Sequence, residues 1–285
     1  MADDRAAERA RPRTRRRRVL DDFTSRVFRL PRGRQDFSVA ADVRVPMRDG
    51  VELLTDIYTP VGTDPLGILL VRTPYGRSSL VAALTTRIYA AHGYLVVNQS
   101  CRGTFGSGGD VEPFIHEIDD GADTVAWLRS QPWFEGRFAL VGSSYLGFAA
   151  WAVLMDPPPE LACAVIAVTG HDNHWVTHGA GAFSLEQMLA LMDAFGNLEE
   201  GLPRGIVRTA TAARRLRPGF EELPLVRAQD TVLAGSKMPY RAWLSTPDAD
   251  DPIWQPMRLG EALERVEVPV LLQEGWQDRF VDPML

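Results

Sequence analysis

The chain has 285 residues, enough for one large domain or two smaller ones around a sizeable core. Apolar residues make up 45% and charged residues 24%, an ordinary globular balance. The formal net charge of −6 gives no general affinity for nucleic acid or anionic membranes, and no apolar run approaches the length of a membrane span.

The charge is unevenly placed. The first 34 residues hold twelve arginines against five acids, about +7, which leaves about −13 on the remainder. The run Arg11-Pro-Arg-Thr-Arg-Arg-Arg-Arg18 admits three readings: a nucleic-acid arm, a twin-arginine export signal or a disordered solvated tail. Export needs an apolar stretch after the arginines, and Val19-Leu-Asp-Asp-Phe23 is interrupted by charge at once. No aromatic interleaving or nucleic-acid fold signature follows. A disordered basic tail over residues 1–36, with no nucleic-acid partner, is therefore expected. Cys101 and Cys163 form no metal-ligand or redox spacing, and with no signal peptide they point to a reducing cytoplasm.

After the tail, Phe37 to Pro46 alternates loosely, Arg48-Asp49-Gly50 marks a turn, and Val51 to Tyr58 completes a β-hairpin. Gly67 to Thr73 is a fully apolar strand broken by Pro74. Leu80 to His92 has helical character and stops at Gly93, and Tyr94 to Asn98 is the next strand. The glycine-rich loop Arg102 to Gly109 fits neither G-x-G-x-x-G nor a P-loop. Glu117 to Ser130 reads as a helix with Ile118, Gly121, Val125 and Leu128 on one side.

Phe138 to Val141 is a short apolar run, followed by Gly142, two serines and an apolar helix-like segment from Tyr145 to Met155. On the residues alone this is either a nucleophile elbow carrying Ser144 or an ordinary strand–helix turn. The short elbow motif G-x-S-x-G places its second glycine one residue earlier than Gly147. Ala162 to Val168 adds another apolar strand. Strands apolar throughout and linked by helices predict a parallel sheet covered on both faces, an α/β fold with Ser144 at a strand's C-terminal end.

The alternation stops near Gly170. From His171 to about Leu263 the segments are polar and helix-leaning, such as Ser184 to Phe195 and Thr209 to Leu216, and read as an inserted helical cap. Val266 to Gln273 is a further strand, leading into Glu274-Gly-Trp-Gln-Asp278. The expected organisation is tail 1–36, core 37–170, cap 171–265 and core again over 266–285.

A nucleophilic serine needs a base and a carboxylate to orient that base. Asp278 lies just past a strand downstream of the elbow, where an α/β-hydrolase carries its acid, although a turn-capping carboxylate has the same spacing. All five histidines precede it. His171, His174 and His178 cluster beside Asp172, but their spacing matches no helical or finger-type zinc site, so neither metal nor other cofactor is expected. His171 and His174 are expected to line the substrate pocket at the start of the cap.

Six separate motifs resemble the cocaine-esterase-like and X-prolyl-dipeptidyl-peptidase-like serine hydrolases. They are Val45-Pro-Met-Arg-Asp-Gly-Val51, Arg72-Thr-Pro-Tyr-Gly76, Gln99 with Arg102-Gly-x-x-x-Ser107, Trp127-Leu-x-x-Gln-Pro-Trp133, Gly142-x-Ser-Tyr-x-Gly147 and Gly275-Trp-x-Asp278. The resemblance implies an α/β-hydrolase fold and an acyl hydrolase acting on an ester, amide or peptide through an acyl–Ser144 intermediate. It also implies Asp278 as the acid, and the Tyr75 phenol and Tyr145 backbone N–H as donors to the oxyanion. In that family a base histidine follows the acid, and a final strand and a β-sandwich domain come after it. None of these lies within the 285 residues, so the chain reads as a truncated copy of impaired activity. Release of X-Pro dipeptides, which needs an anionic subsite such as Asp172, and a pseudoenzyme that only binds are the alternatives.

Overall fold

The computed structural model describes residues 11–278 apart from 13, 28, 32, 79–85 and 180. Among the described residues eight strands form one sheet in the order β1-β2-β3-β5-β4-β6-β7-β8. β1 (Arg11–Pro12), β2 (Phe37–Pro46) and β3 (Glu52–Pro60) make the antiparallel side. β4 (Ile68–Thr73), β5 (Leu95–Ser100), β6 (Phe138–Ser143), β7 (Leu161–Ala167) and β8 (Val270–Gln273) run parallel to one another. β4 and β5 are buried along their whole length, which explains why Ile68 to Val71 and Leu95 to Val97 read as apolar runs rather than alternating ones, while their C-terminal ends bury polar residues, Arg72 and Gln99 among them. β8 begins later than the apolar run that announces it, directly after Pro269, which has no N–H to donate to a ladder.

Of the helices before the elbow, α1 (Arg15–Val27) corrects the expectation of an unstructured tail over its own length. One of the acids that interrupt its apolar run is an anchor: Asp21 is buried and accepts from Arg87 at 2.9 Å, and Arg18 pairs with Asp36 beyond the helix. The helix expected over Leu80 to His92 falls partly outside the described residues and ends in α2 (Ile88–Ala90), closed by Gly93 at φ +96°. α3 (Glu117–Arg129) buries Gly121, Val125 and Leu128. α4 (Tyr145–Val153) is buried at all nine positions, so it forms the centre of the core rather than an amphipathic layer.

Between β7 and β8 the described chain is helical: α5 (Asn173–His178), α6 (Leu185–Phe195), α7 (Leu202–Phe220), α8 (Ala228–Val232), α9 (Tyr240–Ser245) and α10 (Ala262–Arg265), with a 3₁₀ turn over Pro252–Met257. Buried Asp193 on α6 accepts from Arg208 at 2.8 Å and Arg215 at 2.6 Å on α7, clamping the two together. No helix of the described residues is long and apolar enough to cross a membrane.

Candidate active site

The turn at Ser144 is strained in the manner of a nucleophile elbow. Its backbone sits at φ 56°, ψ −130°, a region costing a non-glycine residue on the order of 1–3 kcal/mol. The surrounding lattice of backbone bonds holds it there. Ser144 N–H donates to Ala167 O at 2.9 Å, and its carbonyl accepts from Gly147 N–H at 2.9 Å and Phe148 N–H at 3.1 Å. The serine side chain is exposed above a helix that is otherwise buried.

The two glycines of the motif have separate physical reasons. A Cβ on Gly142 would lie 2.1 Å from the carbonyl oxygen of Leu146, so the strand can pass under the first turn of α4 only without a side chain. A Cβ on Gly147 would lie 2.4 Å from Thr169 Cγ2, at the end of β7. The later glycine therefore marks where α4 touches the neighbouring strand, one residue beyond the position of the shorter motif.

Tyr75 reaches the serine from the loop after β4. Its phenol lies 3.4 Å from Ser144 Oγ, and the backbone N–H of Tyr145 is directed at the same phenol oxygen. Burial pushes the Tyr75 phenol above its ordinary range, so it stays protonated and able to donate. The loop is fixed from below. Thr73 Oγ1 accepts from Tyr75 N–H at 3.1 Å, and Gly76 turns at φ +87° beneath the ring of Phe105. Arg77 donates to Asp56 at 3.0 Å and to the carbonyl of Phe105 at 3.2 Å.

Behind Tyr145 most of the sequence motifs merge into one buried polar network. The Tyr145 hydroxyl donates to Glu117 Oε1 at 2.7 Å and accepts from Phe114 N–H at 2.9 Å, which turns the side chain inward and leaves the N–H at the start of α4 facing Tyr75. Glu117 pairs with Arg72 at 2.7 Å, and Arg72 donates to Gln99 at 2.9 Å. Arg102 forks onto Asp120 and also donates to Asp49 at 2.6 Å. Arg72, Glu117 and Asp120 are all buried, so removing one partner leaves an uncompensated charge at a cost of about 3–5 kcal/mol. Burial, and then the charge of Glu117, hold the Tyr145 phenol well above its ordinary range.

The acid-bearing turn leaves the same edge of the sheet as the elbow. Ser143, Ala167 and Gln273 are in register across β6, β7 and β8, so Ser144 and Glu274 follow at equivalent heights two strands apart, about 10 Å. The turn is closed by Asp278 N–H donating to Gly275 O at 2.8 Å. Glu274, which the residue pattern does not single out, accepts from Gly275 N–H at 3.0 Å. Burial, and then its neighbour Asp278, push its carboxyl above the usual carboxylate range.

The histidines are placed differently from the sequence expectation. His171 is half-buried with its ring 5.8 Å from that of Trp151, and burial holds its pKa below the usual histidine value. His174 bonds to Pro247 O at 2.9 Å and stacks on His178 at 5.1 Å, with Trp254 edge-on. None of the five histidines hydrogen-bonds Ser144 among the described residues, and no cluster of three or more His, Cys, Asp or Glu is placed there to hold a metal ion. Asp172 caps α5 through Trp175 N–H at 3.0 Å and pairs with Arg258 at 3.3 Å.

A narrow cavity of about 40 Å³ opens beside Ser144 and Tyr75. Its walls are apolar side chains of the cap, chiefly Met188, Leu191, Phe195 and Trp243, and one face of α5 carrying Asn173, Val176 and Thr177. Asn173, Val176 and Thr177, rather than His171 or His174, are the residues of this segment that line it. No charged side chain contributes to the lining among the described residues.

The family model of the X-Pro dipeptidyl-peptidase (S15 family) matches residues 49–285. The chain is 30% identical over 264 residues to cocaine esterase of Rhodococcus sp. (strain MB1 Bresler), covering 88% of this chain and 46% of that protein. Among solved structures it resembles an aminopeptidase from the marine sediment archaeon Thaumarchaeota archaeon, with TM-score 0.61, 22% identity, and coverage of 87% of this chain and 46% of that one. It also resembles a CocE/NonD family hydrolase from Staphylococcus aureus, with TM-score 0.58, 16% identity, and coverage of 86% and 47%. At these identities the structural matches show the fold, that of the α/β-hydrolases. The chain spans about half the length of these relatives.

Proposed function

The chain belongs to the X-Pro dipeptidyl-peptidase (S15) family, and from that premise we propose that it is a serine hydrolase whose Ser144 attacks the carbonyl of a neutral ester or amide. In this reading the Ser144 Oγ–carbon bond forms as the hydroxyl proton passes to water and the carbonyl oxygen becomes an oxyanion. Collapse then breaks the carbon–oxygen or carbon–nitrogen bond, and the leaving group takes a proton from water to depart as alcohol or amine, giving the acyl-serine. The oxyanion accepts from the Tyr75 phenol and the Tyr145 N–H, and each such donor contributes on the order of 3 kcal/mol to the transition state. The Tyr75 phenol beside a strained, exposed serine carries the proposal.

Asp278, at the same sheet edge, is the acid that orients a base. With no imidazole bonded to Ser144 among the described residues, acylation by this chain relies on the oxyanion donors. It therefore consumes activated electrophiles but turns over slowly. The cavity favours a neutral acyl group over a peptide with a free amine, because Asp172 is already committed to capping α5 and to Arg258. Fluorophosphonate labelling tests the reading: stoichiometric modification that maps to Ser144 and vanishes in Ser144→Ala supports it. No labelling, or equal labelling of the variant, sinks it in favour of a module that only binds.

A further inference from the structure

We propose that Asn173 is a specificity-determining residue, whose side-chain amide recognises a neutral hydrogen-bond acceptor on the acyl group held beside Ser144. The acyl assignment rests on the acyl-serine reading above.

Asn173 is 8% exposed, and its Nδ2 is buried with no hydrogen-bond partner among the described residues. Folded proteins pair nearly all such groups, so an orphaned amide needs a reason. Its position on α5 supplies one. Residues 173, 176 and 177 share one side of a helix, and all three line the cavity that also contains Ser144 and Tyr75. The other side, with His174 and His178, packs on Trp254.

Two other hydroxyls of the cavity wall are already engaged. Thr177 donates to Met188 Sδ at 3.5 Å, and Thr169 donates to Gly170 O at 3.3 Å. Asn173, whose Nδ2 has no such partner, lines the same cavity as Phe195, Leu191 and Trp243. An apolar wall with one unpaired amide donor selects an acyl group that is apolar apart from a carbonyl or ether oxygen. An ammonium group would be desolvated there with no carboxylate to meet it, which excludes amine-bearing acyl groups. Met188, unbranched and with three rotatable bonds, is the side chain able to move aside for a group larger than the resting cavity. A site built to hydrogen-bond a ligand oxygen discriminates against the isostere lacking it more sharply than an apolar pocket discriminates by size.

Calorimetric titration of the full chain with cyclohexanone and with methylenecyclohexane, which differ only in C=O against C=CH₂, tests this. The wild type is expected to bind the ketone about tenfold more tightly, as for one hydrogen bond to a buried donor. Asn173→Leu should bring the ratio to about twofold or less while its melting temperature holds or rises, because an orphaned amide has been removed. Ser144→Ala should keep the preference. A wild type that binds neither compound or shows no preference overturns the proposal. So does a preference that persists in Asn173→Leu, or an Asn173→Leu melting temperature that falls as for a structural asparagine. Calorimetry reads no chemistry, so failure of Ser144 to label with fluorophosphonate removes the acyl-serine reading and leaves this result to be judged separately.

Discussion

The spacing of the elbow motif makes a quantitative prediction through Gly147. In Gly147→Ala the new Cβ lies 2.4 Å from Thr169 Cγ2 and 3.3 Å from both Thr169 Cβ and Ile166 Cγ2, where carbon atoms prefer about 3.5–4.0 Å. Overpacking of this size costs about 1–3 kcal/mol. Gly147 is not in the left-handed region, so alanine adds no backbone strain and returns up to about 1 kcal/mol of helix propensity. The net expectation is a loss of about 1–2 kcal/mol, or several degrees in melting temperature for a chain of this size. The displaced element is α4, which carries Ser144 at its start, so fluorophosphonate labelling should slow in parallel. Thr169→Ser removes the clashing methyl, and the double variant should recover most of the loss, with a coupling of about 1 kcal/mol or more in a double-mutant cycle measured by urea unfolding. Gly142→Ala should have no such remedy, because its clash is with backbone, the Leu146 carbonyl. A Gly147→Ala protein as stable as the wild type, or strictly additive effects in the cycle, would refute the packing argument.

Three further outcomes are expected. Tyr75→Phe should slow labelling of Ser144 by about 10²-fold, the loss of one oxyanion donor, with an unchanged melting temperature; equal rates would remove Tyr75 from the chemistry. Burial pushes the Tyr240 phenol up to about 12 from an ordinary 10.0, so the folded state holds this proton where the unfolded chain releases it. Its stabilising effect is complete below pH 10 and is lost as pH rises towards 12, and in Tyr240→Phe the fall of the urea midpoint over that window should be shallower by one proton. At the sheet edge Leu271, Leu272 and Trp276 are 58%, 39% and 96% exposed on and beside β8, so self-association should rise with concentration and drop in Leu272→Lys. Sedimentation velocity showing the wild type monomeric at high concentration, or no change in the variant, would count against that surface.

The residues alone determined the strands β2 to β7 and α3, and for a local reason; at Ser144 they left a nucleophile elbow and an ordinary strand–helix turn both open. A strand covered on both faces is largely apolar, and a helix over one face shows its period, so each such element carries its own signature. The motifs also placed Ser144 and Tyr75 in loops at strand ends, although the reason for their composition lay elsewhere. Only the folded chain joins Arg72, Gln99, Glu117 and Tyr145 into one buried network, because its members come from four separate segments. Tertiary contact likewise decided the segments that local pattern misread. α1 is held by the ion pair of Asp21 with Arg87, 66 residues away, and Asp172 is drawn to Arg258, 86 residues away. On α5, the choice of Asn173 over His174 as a cavity residue depends on which face of one short helix meets the cavity. Sequence spacing names the candidates on such a helix, and the packing of Trp254 against the opposite face selects among them.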